Sequence, residues 1–260
     1  AFKEAKIWLG KRFYNRHDLH IKDFYYWNNS GNGVGIEDVN VGLGKFAYAL
    51  QQSEGYGSAQ VINRHEFRWY DVPVNPDGKL ELALMYLRGS KKDASVANGD
   101  TSSGYILTAQ HQQNSLLGGF NKVALQYGKG LGGSGNAGYA AYHNGGFTAA
   151  KDMSFFRLTE QLVIAPEGTD FSGQFAFIYE KNKNDAWGGG NQKWLSFGFR
   201  PQYAFTENLS VAAEYGFDKI SGDGSSKKLQ KITVAPQIQA GKGFWARPVF
   251  RLYASYFKAD

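Results

Sequence analysis

The 260-residue chain contains no cysteine, which excludes a disulfide framework, a Cys-based zinc site and a thiol nucleophile. Long apolar runs are also missing. No 18 consecutive residues are apolar and the mean hydropathy is −0.45, so no transmembrane helix is encoded. A membrane barrel stays open, because its strands alternate and average out as polar. Charge is sparse, at 20% Asp, Glu, Lys and Arg against roughly 25% in ordinary domains. The 29 cations and 23 anions leave a net charge of +6, and they interleave instead of forming a basic stripe. That pattern gives no footprint for nucleic acid.

What the chain does have is glycine and rings. Its 33 glycines argue against a helical protein, because glycine is costly in helix interiors. The 42% hydrophobic and 16% aromatic content argues against disorder. Period-2 alternation is the main signal. Arg64, Glu66 and Arg68 interleave with His65, Phe67 and Trp69; Ile232, Val234 and Ile238 alternate with polar neighbours; Gly173, Phe175, Phe177 and Tyr179 oppose Ser172, Gln174, Ala176 and Glu180. Successive strand side chains point to opposite faces, so each segment has one wet and one apolar face.

About thirteen strands are expected, near 5–14, 35–42, 45–52, 63–73, 79–88, 104–114, 119–128, 152–165, 171–181, 192–205, 209–218, 229–240 and 247–257. Tight turns such as Asn75-Pro76-Asp77-Gly78 and Thr206-Glu207-Asn208 alternate with polar stretches at 15–34, 53–63, 89–103, 128–150, 182–191 and 219–228. Most of these strands run 8–14 residues. That suits a membrane-spanning β-strand of about 9–11 residues better than a soluble one of about 5–6. The pattern describes an all-β, antiparallel transmembrane β-barrel in a single domain, with short turns at one rim and long loops at the other. Tyr14, Tyr70, Tyr86, Tyr127, Tyr179, Tyr203 and Phe257 are expected in its interfacial girdles. A secreted β-sandwich or β-helix is the alternative.

The densest chemistry lies in residues 10–28, which mix cations, carboxylates, imidazoles and the run Phe24-Tyr25-Tyr26-Trp27. Such adjacent rings need cover, so the loop over 15–34 is expected to fold inward and narrow the lumen. Aromatic faces can stack on the C–H faces of pyranose rings, while Arg donors and Asp acceptors serve the hydroxyls. A mixed wall of this kind reads as carbohydrate binding.

The run Lys11-Arg12-Phe13-Tyr14-x-Arg16-His17-Asp18-x-His20-x-x-Asp23-Phe24-Tyr25-Tyr26-Trp27 resembles the constriction loop of maltoporins. So do Gly119-Phe120-Asn121-Lys122, Phe199-Arg200-Pro201-x-Tyr203 and Trp245-x-Arg247-Pro248 further on. The resemblance implies an 18-stranded, homotrimeric channel for maltodextrins in a Gram-negative outer membrane, among lipid and lipopolysaccharide, with no cofactor, metal or catalytic residue. It further implies that this chain starts near the fifth strand and stops near the seventeenth. Arg16, His20 and Asp23 match the polar track, with Asp18 between them. Tyr25 matches the steric gate, and Phe120 and Trp245 match two rungs of an aromatic slide. Asn28 departs from the family's usual Asp. Retained Arg16 and Tyr25 favour maltodextrins over sucrose.

Other readings of the same residues are weaker. His17, Asp18 and His20 lack helical zinc spacing. Nothing fixes Asp18 and Asp23 at the separation a glycosidase needs. The stretch 128–135 lacks the phosphate-loop spacing. Phe120 and Trp245 also suit lipid-facing or rim positions. A general or sucrose-type sugar porin and a soluble carbohydrate-binding β protein are the functional alternatives.

Overall fold

The computed structural model describes residues 2–54, 60–91, 103–133, 152–185 and 190–260. It is built almost wholly from antiparallel strands: β1 (Lys6–Arg12), β2 (His17–Leu19), β3 (Phe24–Trp27), β4 (Gly31–Asn40), β5 (Lys45–Glu54), β6 (Gln60–Asn75), β7 (Gly78–Lys91), β8 (Ser103–Leu116), β9 (Gly119–Gly130), β10 (Ser154–Ile164), β11 (Phe171–Asp185), β12 (Gly190–Ala204), β13 (Leu209–Gly222), β14 (Ser225–Gln239), β15 (Val249–Arg251) and β16 (Ala254–Ala259). β1 and β4 to β15 pair in chain order in one sheet, β16 also pairs with β14, and β2 and β3 form a separate hairpin. From β4 to β15 each strand meets its sequence neighbour, as in an antiparallel meander.

β15 and β16 are one interrupted strand, which makes the sheet thirteen strands wide, as the sequence pattern indicates. The cause of the break lies on β14. Pro236 stands opposite Leu252, whose N–H donates to the Pro236 carbonyl at 3.3 Å. Proline has no N–H to complete that pair, and the ladder skips Leu252 and Tyr253 before resuming at Ala254.

Two long stretches expected from composition are mostly strand. β13 runs to Gly222 and β14 starts at Ser225, leaving Asp223-Gly224 as the connection. Their φ values of 45° and 81° give the twist of a two-residue hairpin turn. Likewise β11 reaches Asp185 and β12 begins at Gly190. Polar, glycine-containing composition marked both segments as loops, but cross-strand pairing such as Ile220↔Lys227 extends the strands through them. Residues 134–150 of the expected loop at 128–150 lie outside the described residues.

The sheet separates two solvents. On one face stand Leu84, Leu107, Leu125, Tyr127, Phe156, Phe199, Ile232 and Val234, all substantially exposed. On the other stand Arg64, Glu66, Arg68, Gln110, Gln126, Arg157, Gln174, Glu180 and Gln202, all buried. This is apolar-out, polar-in alternation. Tyr86, Tyr127 and Tyr203 project outward at 41–48% exposure, as girdle residues would. Tyr14 and Tyr70 do not. Tyr14 is 2% exposed, and the Arg68 guanidinium, itself paired with Glu81 at 2.8 Å, lies over both rings at 5.1 and 4.8 Å, which holds these tyrosines on the polar face. Phe257 pairs with Lys231 and shares its polar face.

Candidate functional site

Residues between β1 and β4 fold back over the polar face. The β2–β3 hairpin is closed by a 3₁₀ turn at His20–Lys22, which ends at Asp23 in the left-handed region at φ 49°. A short polar side chain tolerates that conformation better than a branched one. Leu19, Tyr26 and Trp27 are at most 5% exposed and form an apolar cluster with Ala124, Ala176 and Ile178 of the wall. Each such side chain contributes roughly 1.5–3 kcal/mol by leaving water. The wall gives way where the turn lands: a Cβ added at Gly198 would lie 3.1 Å from Ile21 Cδ1 and 3.3 Å from Lys22 Cε. Gly198 pairs with Gly216 across β12 and β13, and together they form a side-chain-free notch.

Polar bonds reach further. Asn15 and Asn29 donate to Glu66 on β6. The Tyr26 hydroxyl donates to Gln110 on β8 at 2.6 Å. Arg157 on β10 donates to the Tyr26 carbonyl at 3.0 Å and to Glu180 on β11 at 2.5 Å. Lys22 pairs with Asp218 on β13 at 3.1 Å. His20 meets Trp245, in the turn between β14 and β15, with ring centroids 4.9 Å apart.

These contacts fix the shape of the wall. Seven steps from β6 to β13 span about 34 Å in a flat sheet at about 4.8 Å per strand. The segment from Asn15 to Lys22, at most about 25 Å when extended and shorter with its 3₁₀ turn, touches both strands. The sheet must therefore curl around the hairpin. Residues 1–260 match the family described as LamB porin.

The chain belongs to the LamB porin family. LamB porins are sugar channels of the Gram-negative outer membrane, which they cross with β-strands; they are not an enzyme family. In this porin the polar face is the inner wall and the apolar face meets lipid.

The structure gathers some of the residues singled out from sequence and separates others. Arg16 lies between two rings, its guanidinium carbon 4.4 Å from the Phe13 centroid and 4.4 Å from the Tyr25 centroid. A guanidinium held against ring faces keeps its in-plane donors available to a ligand. His20 faces Asp18, Nδ1 to Oδ2 at 3.9 Å, as well as Trp245. Trp245 is braced by Phe244 at 4.8 Å and remains 47% exposed. Asp23 is exposed at the end of the 3₁₀ turn. Asn28 turns to its own connection between β3 and β4: its Oδ1 accepts from the Ser30 N–H at 3.2 Å and the Ser30 hydroxyl at 2.7 Å. Phe120, second in β9, is half-buried on the inner wall with Lys122 Nζ 5.7 Å from its centroid. It stands at the same short-turn rim as Trp245, away from the hairpin's own rings.

The two histidines diverge. His17 stacks on Trp27 at 5.1 Å and its Nε2 donates to Asn15 Oδ1 at 2.7 Å. Burial, with Lys122 and Arg68 nearby, pushes the His17 pKa down to about 3. Burial and the charges of Arg200, Arg247 and Arg251 also lower His20, against the pull of Asp18. Both rings are neutral at neutral pH.

The residues missed from sequence are the partners on the wall: Glu66, Arg68, Arg157, Glu180 and Asp218. Alternation placed Glu66, Arg68 and Glu180 on wet faces, but nothing local pairs a strand with a loop 51 to 196 residues away.

Proposed function

We propose that this porin passes linear maltodextrins by facilitated diffusion, along aromatic rungs and a polar track where the hairpin narrows the lumen. The observation that carries the reading is the stack of Arg16 between Phe13 and Tyr25. It combines in one place a flat apolar face and a fixed fan of hydrogen-bond donors, which are the two things a pyranose ring needs.

In this reading Tyr25 is the gate, exposed on the hairpin beside Arg16. Arg16, Asp18, His20 and Asp23 exchange hydrogen bonds with hydroxyls as the sugar advances. Trp245 and Phe120 continue the apolar path toward the short-turn rim. Asn28 acts on the hairpin instead, because its carbonyl oxygen is engaged by Ser30. Its amide contributes no charge where an Asp would, which leaves the hairpin less negative. Conduction requires several weak sites in series, so that no step holds the sugar. No bond is made or broken. The working unit is a homotrimer set in lipid and lipopolysaccharide.

The test is current block in planar bilayers. Maltotriose is expected to close the channel at lower concentration than sucrose, with the preference growing from maltose to maltotriose. Equal block by maltotriose and sucrose would reassign the porin to the sucrose or general class.

A further inference from the structure

The inner wall beside Trp245 carries a group of cations that the neutral sugar path does not use. Arg200 on β12, Glu214 on β13, Lys231 and Thr233 on β14, and Arg251 on β15 line one recess of about 250 Å³. A water occupies about 30 Å³, so the recess admits a charged substituent but not an oligosaccharide. Three of these side chains are cationic and one is a carboxylate.

That carboxylate is already taken. Arg200 Nε donates to Glu214 Oε2 at 2.6 Å, and Arg200 Nη2 meets the same oxygen. Lys231 Nζ stands 3.9 Å from the other oxygen. Arg251 donates to the neutral Gln237 side chain. Arg247, in the adjoining turn, donates to the Phe244 and Ala246 carbonyls at 3.3 and 2.7 Å. Among the described residues, neither Arg247 nor Arg251 has a carboxylate partner. The group is continuous with the sugar path: Arg200 lies 5.9 Å from the Phe244 ring centroid, Phe244 packs on Trp245, and His20 feels the charge of all three arginines.

Like charges held on one wall repel, and an anion relieves that repulsion. Guanidinium forks match the paired oxygens of phosphate or carboxylate, and a lysine adds a point charge. We propose that this recess is a subsite for the phosphate or carboxylate of an anionic saccharide whose ring lies against Trp245. The proposal rests on the sugar path described above and extends its substrate class to acidic sugars.

The experiment uses the full-length trimer in planar bilayers at about 0.1 M KCl, where the Debye length is about 10 Å. The probes are glucose 6-phosphate, glucuronate, glucose and inorganic phosphate, with maltotriose as the reference. Glucose 6-phosphate and glucuronate are expected to block at concentrations at least tenfold below glucose and below inorganic phosphate. The double change Lys231→Gln and Arg251→Gln should bring the acidic sugars to parity with glucose while maltotriose block is unchanged. If the double variant fails to form trimers, Lys231→Gln alone, an exposed change, should cut the preference about threefold. Equal block by glucose and glucose 6-phosphate, or a preference that survives the substitutions, overturns the subsite. Inorganic phosphate blocking as well as glucose 6-phosphate overturns its saccharide part. Maltotriose reports the neutral path separately, so failure there leaves the result for the acidic sugars readable.

Discussion

Among the described residues Arg16 is held by rings and by no carboxylate, and this decides what its removal or exposure would do. Tyr25→Ala takes away one of the two faces and the bulk beside the path. Single-channel conductance should rise, and unchanged conductance would remove Tyr25 from the gate. Trp245→Ala deletes a half-exposed ring braced by Phe244 and His20. Aromatic stacking is worth about 0.5–1.5 kcal/mol, so half-block by maltotriose should need roughly two- to tenfold more sugar. The candidate segment stood out because its rings and charges are written consecutively, in 16–25. Their pairings did not. Asn28 looked like one more sugar contact, but a side chain two residues from Ser30 satisfies its neighbour first.

The hairpin is an element with two kinds of grip, apolar through Leu19, Tyr26 and Trp27 and polar through Glu66, Arg157 and Asp218. Its inward fold was legible from Phe24-Tyr25-Tyr26-Trp27, since that much ring surface must be covered. Its partners were not, because they come from strands far along the chain and only the curl of the sheet brings them near. Arg157→Met leaves Glu180 as a buried, uncompensated carboxylate. Breaking such a pair costs about 3–5 kcal/mol, which should appear as flickering current and a lower unfolding temperature in detergent. His17 gives a pH dependence with a definite sign. Its folded pKa, about 3, lies below the ordinary 6.5, so the released hairpin binds the proton more readily than the docked one. Docking is unaffected above pH 6.5 and weakens progressively as pH falls from there toward 3. Protease cleavage within residues 13–30 should therefore speed up on acidification, and less so in His17→Gln.

At the scale of the whole molecule, strand number and alternation were readable because the period of two is local, whereas how far the strands run into 182–191 and 219–228 was not, because pairing across the ladder overrides polar composition. The lipid-facing assignment has its own test. Leu125 projects outward from the middle of β9, 46% exposed, and Leu125→Arg should cost about 2–4 kcal/mol at the bilayer midplane, measured by urea unfolding from vesicles. The glycine notch at Gly198 and Gly216 acts at the same scale. There the Ile21 and Lys22 side chains of the hairpin reach bare backbone, so the standoff of the 3₁₀ turn from the wall is set by those two side chains. Bulk placed behind it, as in Gly198→Leu, would lever the turn toward the axis and lower the largest permeable oligomer, although that substitution touches no passing solute. Permeability can thus be tuned from the back of the plug, leaving every recognition group in front of it intact.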